Sequence, residues 1–128
     1  MNAMEREDCD RVSSAVVAAA FRVSNTFGAG FLEKVYENAL GIELRAMGLQ
    51  VEQQMRIHVR YRQEIVGEYV PDLLVERSVI VEVKAIDSLH SIHRAQCMNY
   101  LRATSLSVAL LVNFGRPRIE IKRVVWDF

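Results

Sequence analysis

Apolar residues recur at helical spacing from about Glu5 to Phe27, where Val12, Val16, Ala19, Ala20, Val23 and Phe27 form one stripe. This predicts a first helix, stopped by Gly28-Ala29-Gly30. A second helix is expected over about Phe31 to Met47, with Leu32, Val35, Tyr36, Ala39, Leu40 and Leu44 on its apolar face and Gly48 as its cap. The period then changes to two. Met55 to Tyr61 alternates apolar and polar residues, which predicts a half-buried strand, and Arg62-Gln63 supplies a tight turn. Glu64 to Val75 continues as strand, with a bulge expected at Gly67 and a break in ladder pairing at Pro71. After a turn at Glu76-Arg77-Ser78, Val79 to Ala85 is β-branched and nearly all apolar, as for a central strand covered on both faces. Ser91 to Ala103 reads as helix, Ser107 to Phe114 as a second buried strand and Arg118 to Val125 as a final alternating strand. Helix, helix, three strands, helix, two strands is the order of an α/β fold: a mixed sheet of about five strands flanked by helices.

At 128 residues the chain suits a single domain, taken as residues 1–128. A hydrophobic content of 51% argues against disorder, and no apolar run approaches the ~18 residues of a membrane span. Sixteen basic residues balance sixteen acidic ones, so nucleic-acid contact must come from a local patch rather than global charge. Thirteen of the basic residues are Arg and three are Lys, so each lysine invites a question about its role. Cys9 and Cys97 have neither metal-ligand spacing nor the number for a disulfide scaffold. The N-terminal stretch holds Glu5, Glu7, Asp8 and Asp10 and no basic-then-apolar signal, so a reduced, cytoplasmic protein is expected.

The anomaly lies in Val79 to Ala85, where Glu82 and Lys84 interrupt the apolar strand. Two apart on a strand, they share a face. Burying both costs several kcal/mol per ion, in order of magnitude, unless they are paired or bind something. If Glu76-Arg77-Ser78 is a three-residue hairpin loop, Val75 pairs with Val79, and Asp72 falls opposite Glu82 with Cβ atoms ~5 Å apart. Two carboxylates so placed repel, and a divalent cation converts that repulsion to attraction. Mg²⁺ suits carboxylate oxygens and keeps its waters. Lys84 could orient or deprotonate a water, or stabilise charge on a phosphate. The bland alternative is a salt bridge from Lys84 to Asp72 or Glu82 on a solvent-open edge.

Pro71-Asp72 followed by Glu82-Val83-Lys84 resembles the PD-(D/E)XK nuclease signature, and the element order resembles that superfamily's α-β-β-β-α-β core. Upstream, Gly30-Phe31-Leu32-Glu33-Lys34-Val35-Tyr36 reads G-x-x-E-x-x-Y, the motif that names the GxxExxY family grouped with it. The likeness runs on to Asn113-Phe114-Gly115 and Lys122-Arg123-Val124. It implies a restriction-endonuclease-like fold and Mg²⁺-dependent hydrolysis of nucleic acid, DNA in preference to RNA, with Mn²⁺ as a substitute ion. It further implies that Asp72, Glu82 and Glu33 bind the metal and that Lys84 is the catalytic lysine. Gln96 and Tyr100 match a Q-x-x-x-Y pattern of the RecB-like branch and share a helix face. Each has a plainer reading: Glu33 as a first-turn cap residue, Tyr36 and Tyr100 as core aromatics, Gln96 as a surface residue.

Arg56, His58, Arg60 and Arg62 lie on the polar face of one strand and could track a phosphate backbone, or simply be solvated. Arg94 and Arg102 are further candidate phosphate contacts, and His93 could face the site. His90 and His93 lack acidic or Cys companions, so no zinc site is read. A nucleic-acid substrate is thus expected; a homodimer could pool two weak basic patches, and a separate partner protein could supply targeting. The competing reading is a binding module, for nucleic acid or protein, that keeps the fold without catalysis, although such a module has no reason to retain buried charges.

Overall fold

The structure is a computed structural model and describes residues 1–127. Helix α1 (Ala3–Phe27) opens where the Asn2 side chain accepts a hydrogen bond from the Glu5 amide, 2.8 Å. It buries the expected stripe of Val12, Val16, Ala19, Ala20 and Val23 and ends at Gly28, whose φ of 67° suits glycine. Helix α2 (Glu33–Ala46) starts later than the apolar pattern suggested. Gly30 takes φ 111° and Leu32 is extended as the cap residue. Leu32, expected on the apolar face, therefore precedes the helix and is 79% exposed.

Seven strands follow: β1 (Val51–Gln53), β2 (Ile57–Tyr61), β3 (Glu64–Tyr69), β4 (Leu73–Val75), β5 (Val79–Lys84), β6 (Val108–Asn113) and β7 (Glu120–Val125). Five form a mixed sheet in the order β1-β4-β5-β6-β7, with β5 and β6 parallel across helix α3 (Ser91–Thr104) and the other pairs antiparallel. The sheet flanked by helices is the expected architecture, but its membership differs. The alternating segments β2 and β3 leave the sheet as a separate hairpin, because the chain breaks at Val70-Pro71. Proline donates no ladder hydrogen bond there. Their place at the edge is taken by β1, which the pattern did not predict. The turn at Arg62-Gln63 is present, with φ 49° and 69°. The expected bulge also forms, its register shifting between Val59, opposite Gly67, and Arg60, opposite Ile65, so that Val66 is the extra residue.

Alternation along β5 divides the core into two. Val79, Val81 and Val83 pack with α1 and α2, together with Leu73, Val75, Leu110 and Val112. Ile80 packs on the other face with Cys97, Tyr100 and Leu101 of α3 and with Leu111. Glu82 and Lys84 therefore share the α3 face, at the C-terminal end of the strand. No helix among the described residues is long and apolar enough to cross a membrane.

The segment leaving β5 is fixed from β6. The buried Asn113 side chain accepts hydrogen bonds from the Ile86 and Gly115 amides, both 3.0 Å, and donates to the Ile86 carbonyl, 2.9 Å, and to Glu120 Oε1, 3.0 Å. At Gly115 a Cβ would run into the backbone of Ile86. Gly115→Ala should therefore destabilise the protein by about 1–3 kcal/mol, as overpacking against backbone does. Chemical denaturation checks this, and an unchanged midpoint would show that the Ile86 segment can move aside freely.

Candidate active site

The hairpin loop between β4 and β5 has the three-residue length expected, with Glu76 and Arg77 at φ 53° and 51°, and Val75 pairs with Val79. Asp72 consequently lies across from Glu82, and the two are locked reciprocally. The Asp72 amide donates to Glu82 Oε1 at 3.0 Å, and Asp72 Oδ2 accepts from the Val83 amide at 2.7 Å. Each carboxylate thus holds the other's strand, which fixes where both point.

A second layer, absent from the motif reading, surrounds Asp72. Glu37, four residues after Glu33 on α2, is only 2% exposed. Its carboxylate accepts from Lys34 Nζ at 3.1 Å, from Gln53 Nε2 at 2.6 Å and from Gln54 Nε2 at 3.0 Å. Gln54 also donates to Asp72 Oδ1, 3.2 Å, and its amide to the Asp72 carbonyl, 3.0 Å. To make this bridge Gln54 adopts φ 56°, a left-handed conformation uncommon for residues other than glycine. The signal available in the sequence was the i,i+4 spacing of Glu33 and Glu37, which puts both on one helix face.

The electrostatics separate these acids. Burial raises the Glu37 carboxyl, but hydrogen bonds from Gln54, Gln53 and Lys34 outweigh it and hold it below the ordinary range. Glu82, only 5% exposed, is pushed up to about 8, first by burial and then by the negative charge of Asp72. Asp72 is raised to about 6, mainly by burial, with the charges of Glu37 and Glu33 adding to it against the hydrogen bond from Val83. Near neutral pH the pair resists carrying two charges. Two facing, nearly buried carboxylates are a donor set that fits a hard divalent cation.

Glu33 begins α2, is exposed, and reaches Asp72 and Glu82 by its charge. Among the described residues no three acidic, histidine or cysteine side chains converge closely enough in this structure to cage a metal ion, and Glu33 adjoins the pair from the start of α2. The G-x-x-E-x-x-Y run has a mechanical role here. Buried Tyr36 donates from its hydroxyl to the Gly28 carbonyl at 2.6 Å, accepts from the Phe31 amide at 3.1 Å and stacks on Phe114 at 4.7 Å. It pins the loop from which Glu33 emerges.

Lys84 is half-buried, and no carboxylate lies within salt-bridge distance of it among the described residues. The plain salt-bridge alternative is therefore absent. With Gln96, His93, Asn99 and Tyr69 it borders an open hollow of about 530 Å³. His93 Nδ1 accepts from the His90 amide at 3.0 Å, which fixes the ring at the hollow's rim. Tyr100 lies beneath, buried and packed edge-on against Tyr69 at 4.8 Å. Burial, then the charges of Glu82 and Asp72, push its hydroxyl up to about 12, so it stays protonated. Cys97 is likewise buried and pushed up to about 12 by burial and by Glu82, which makes it an inert filler rather than a nucleophile.

The basic ribbon does not stay together. Glu68, across the hairpin, lies 3.8 Å from Arg56 and 3.6 Å from His58. Arg62 sits in the turn with its guanidinium 5.9 Å from the Tyr61 ring centre. Arg94 borders a different hollow, with Lys122 and Arg123, away from Lys84. Arg60 alone of the ribbon turns to the gap beside α3.

A family model described as the PD-(D/E)XK nuclease superfamily matches residues 10–124. The chain belongs to this superfamily, whose members are generally nucleases that typically use divalent metals. Searches of curated proteins and of solved structures gave no match.

The raised carboxyls have a consequence for stability. Asp72 and Glu82 bind protons more tightly folded than unfolded, so their contribution is fully present below the unfolded carboxyl range, near pH 4. It is lost as pH rises through about 6 and then about 8. The Tm of metal-free protein should fall over this window, and the fall should be shallower in Glu82→Gln. A Tm that rises with pH through the window would contradict the assignment.

Proposed function

We propose that this chain is a Mg²⁺-dependent nuclease of the GxxExxY group, hydrolysing phosphodiester bonds in nucleic acid, with DNA preferred over RNA. The observation that carries the reading is the interlocked Asp72–Glu82 pair beside Lys84, which has no carboxylate within salt-bridge distance among the described residues. Asp72 and Glu82 would hold the cation, with Mn²⁺ able to substitute, and the charges of Glu33 and Glu37 deepen the negative potential that attracts it. Bound there, a divalent ion supplies Lewis-acid polarisation of the phosphate and a more acidic water. Lys84, held by strand β5, orients the attacking water and donates to the phosphate oxygen on which charge develops. Gln96, exposed on α3, positions the phosphate with its side-chain amide. Tyr100 supports the acidic pair from behind as a permanently protonated hydroxyl. Two buried, unbridged cysteines support a reducing, cytoplasmic setting.

Binding without cleavage is the second reading, favoured by the lack of a third converging ligand among the described residues. A panel of single-stranded, duplex and branched DNA and RNA, with Mg²⁺ or Mn²⁺, separates the two. Wild type should cut at least one substrate, and Lys84→Ala should cut it on the order of 10²–10³-fold more slowly. Equal rates would remove Lys84 from the mechanism. Retained binding with no cleavage by wild type would establish the binding module.

A further inference from the structure

Beyond the hollow that holds Lys84, a second one of about 380 Å³ opens between α3 and the β2–β3 hairpin. Val59 and Arg60 of β2 border one side, and Asn99 and Arg102 of α3 the other. The two hollows share Tyr69 and Asn99, so they form one continuous groove along the exposed face of α3. Its lining contains Lys84 at one end, Arg60 and Arg102 at the other, and no acidic residue. Neither arginine has a carboxylate within salt-bridge distance among the described residues. This contrasts with Arg56 and His58 of the same ribbon, which Glu68 engages. A cation in the last turn of a helix suits the helix dipole, which alone would explain Arg102. It does not explain why Arg60, from a different element, meets it across the same gap.

We infer that this groove is the track for the substrate strand, with Arg60 and Arg102 holding backbone phosphates of a nucleic acid whose scissile bond lies at Lys84. The inference rests on the nuclease reading for the location of the cut, while the binding itself is independent of catalysis. From Gln96 to Arg102 the helix rises ~9 Å, long enough to face more than one phosphate of a bound strand. Half-buried Tyr69, midway along the groove, adds an aromatic surface of the kind that single-strand binders set among basic side chains. The protein is neutral as a whole, so a short, acid-free groove is where a polyanion gains most.

The test is fluorescence anisotropy of the metal-free protein with a labelled single-stranded DNA of about 20 nucleotides, from about 50 to 200 mM NaCl. Arg60→Gln combined with Arg102→Gln should weaken binding on the order of tenfold at the lowest salt. It should also reduce the slope of log affinity against log salt by about 1.4, two phosphate contacts' worth for a single strand. Arg11→Gln, on α1 and the opposite face of the sheet, is the control and should change neither. Both groove arginines are exposed, and unchanged thermal melting shows that folding is not the cause. Unaltered affinity and slope in the double variant, or no binding by wild type, would overturn the groove. So would equal affinity for an acidic peptide of the same charge, which would make the occupant a protein. Loss of binding in the double variant while wild type cuts nothing would keep the groove and discard the nuclease reading. Cleavage by wild type with binding indifferent to either arginine would do the reverse.

Discussion

The reciprocal hold between Asp72 and Glu82 is the constraint on which the rest depends. Each carboxylate takes a backbone N–H from the other's strand, so neither can swing away to relieve its repulsion from the other. That geometry requires the β4–β5 register, and the register requires a three-residue loop whose first two residues accept left-handed backbone. It also requires Pro71 to end the hairpin strand before it, since a continuous β3–β4 strand would give Asp72 other ladder partners. The result is a pair of acids kept close and largely buried, with no cation within salt-bridge distance of either among the described residues. In low dielectric such a pair stays protonated or takes up a cation.

Around this pair the surrounding motifs are largely mechanical. Tyr36 clamps the Gly28–Phe31 loop and stacks on Phe114, which sets where α2 and Glu33 begin. Asn113 and Gly115, flanking the same Phe114, clamp the chain as it leaves Lys84. Two sequence-distant motifs thus meet at one aromatic stack and brace the two ends of the site. Glu37 and Gln54 do the corresponding work for Asp72, with Glu37 held below the ordinary carboxyl range by its donors while Asp72 and Glu82 are raised above it. An ionised acid held just behind two reluctant ones adds to the pull on a cation without competing for the same position.

Much of this was legible in the residues. The stripe of α1, the apolar run of β5 and the cross-strand partnership of Asp72 and Glu82 follow from periodicity and loop length, because burial and register are set locally there. Strand β1 was not legible: Val51-Glu52-Gln53 has no alternation of its own and becomes a strand because β4 offers an open edge. The departure of β2 and β3 from the sheet was not legible either, since their alternation predicts a half-buried strand without saying what buries it. Glu37 did not stand out in the sequence, where its i,i+3 spacing from Lys34 fits the helix pair that they form. Only the fold brings Gln53 and Gln54 to its carboxylate. The arginine ribbon was visible as a pattern, but which member is free depended on Glu68 arriving across the hairpin.

As proposed above, the Asp72–Glu82 pair takes up a divalent cation only as its protons leave. Calorimetric titration of Mn²⁺ into the protein near pH 7, repeated in buffers of different ionisation enthalpy, measures this directly. Binding should be saturable with net proton release, the release diminishing as pH is raised above about 8 and the binding abolished in Asp72→Asn. Absence of binding heat in wild type, or binding unchanged by Asp72→Asn, would contradict it.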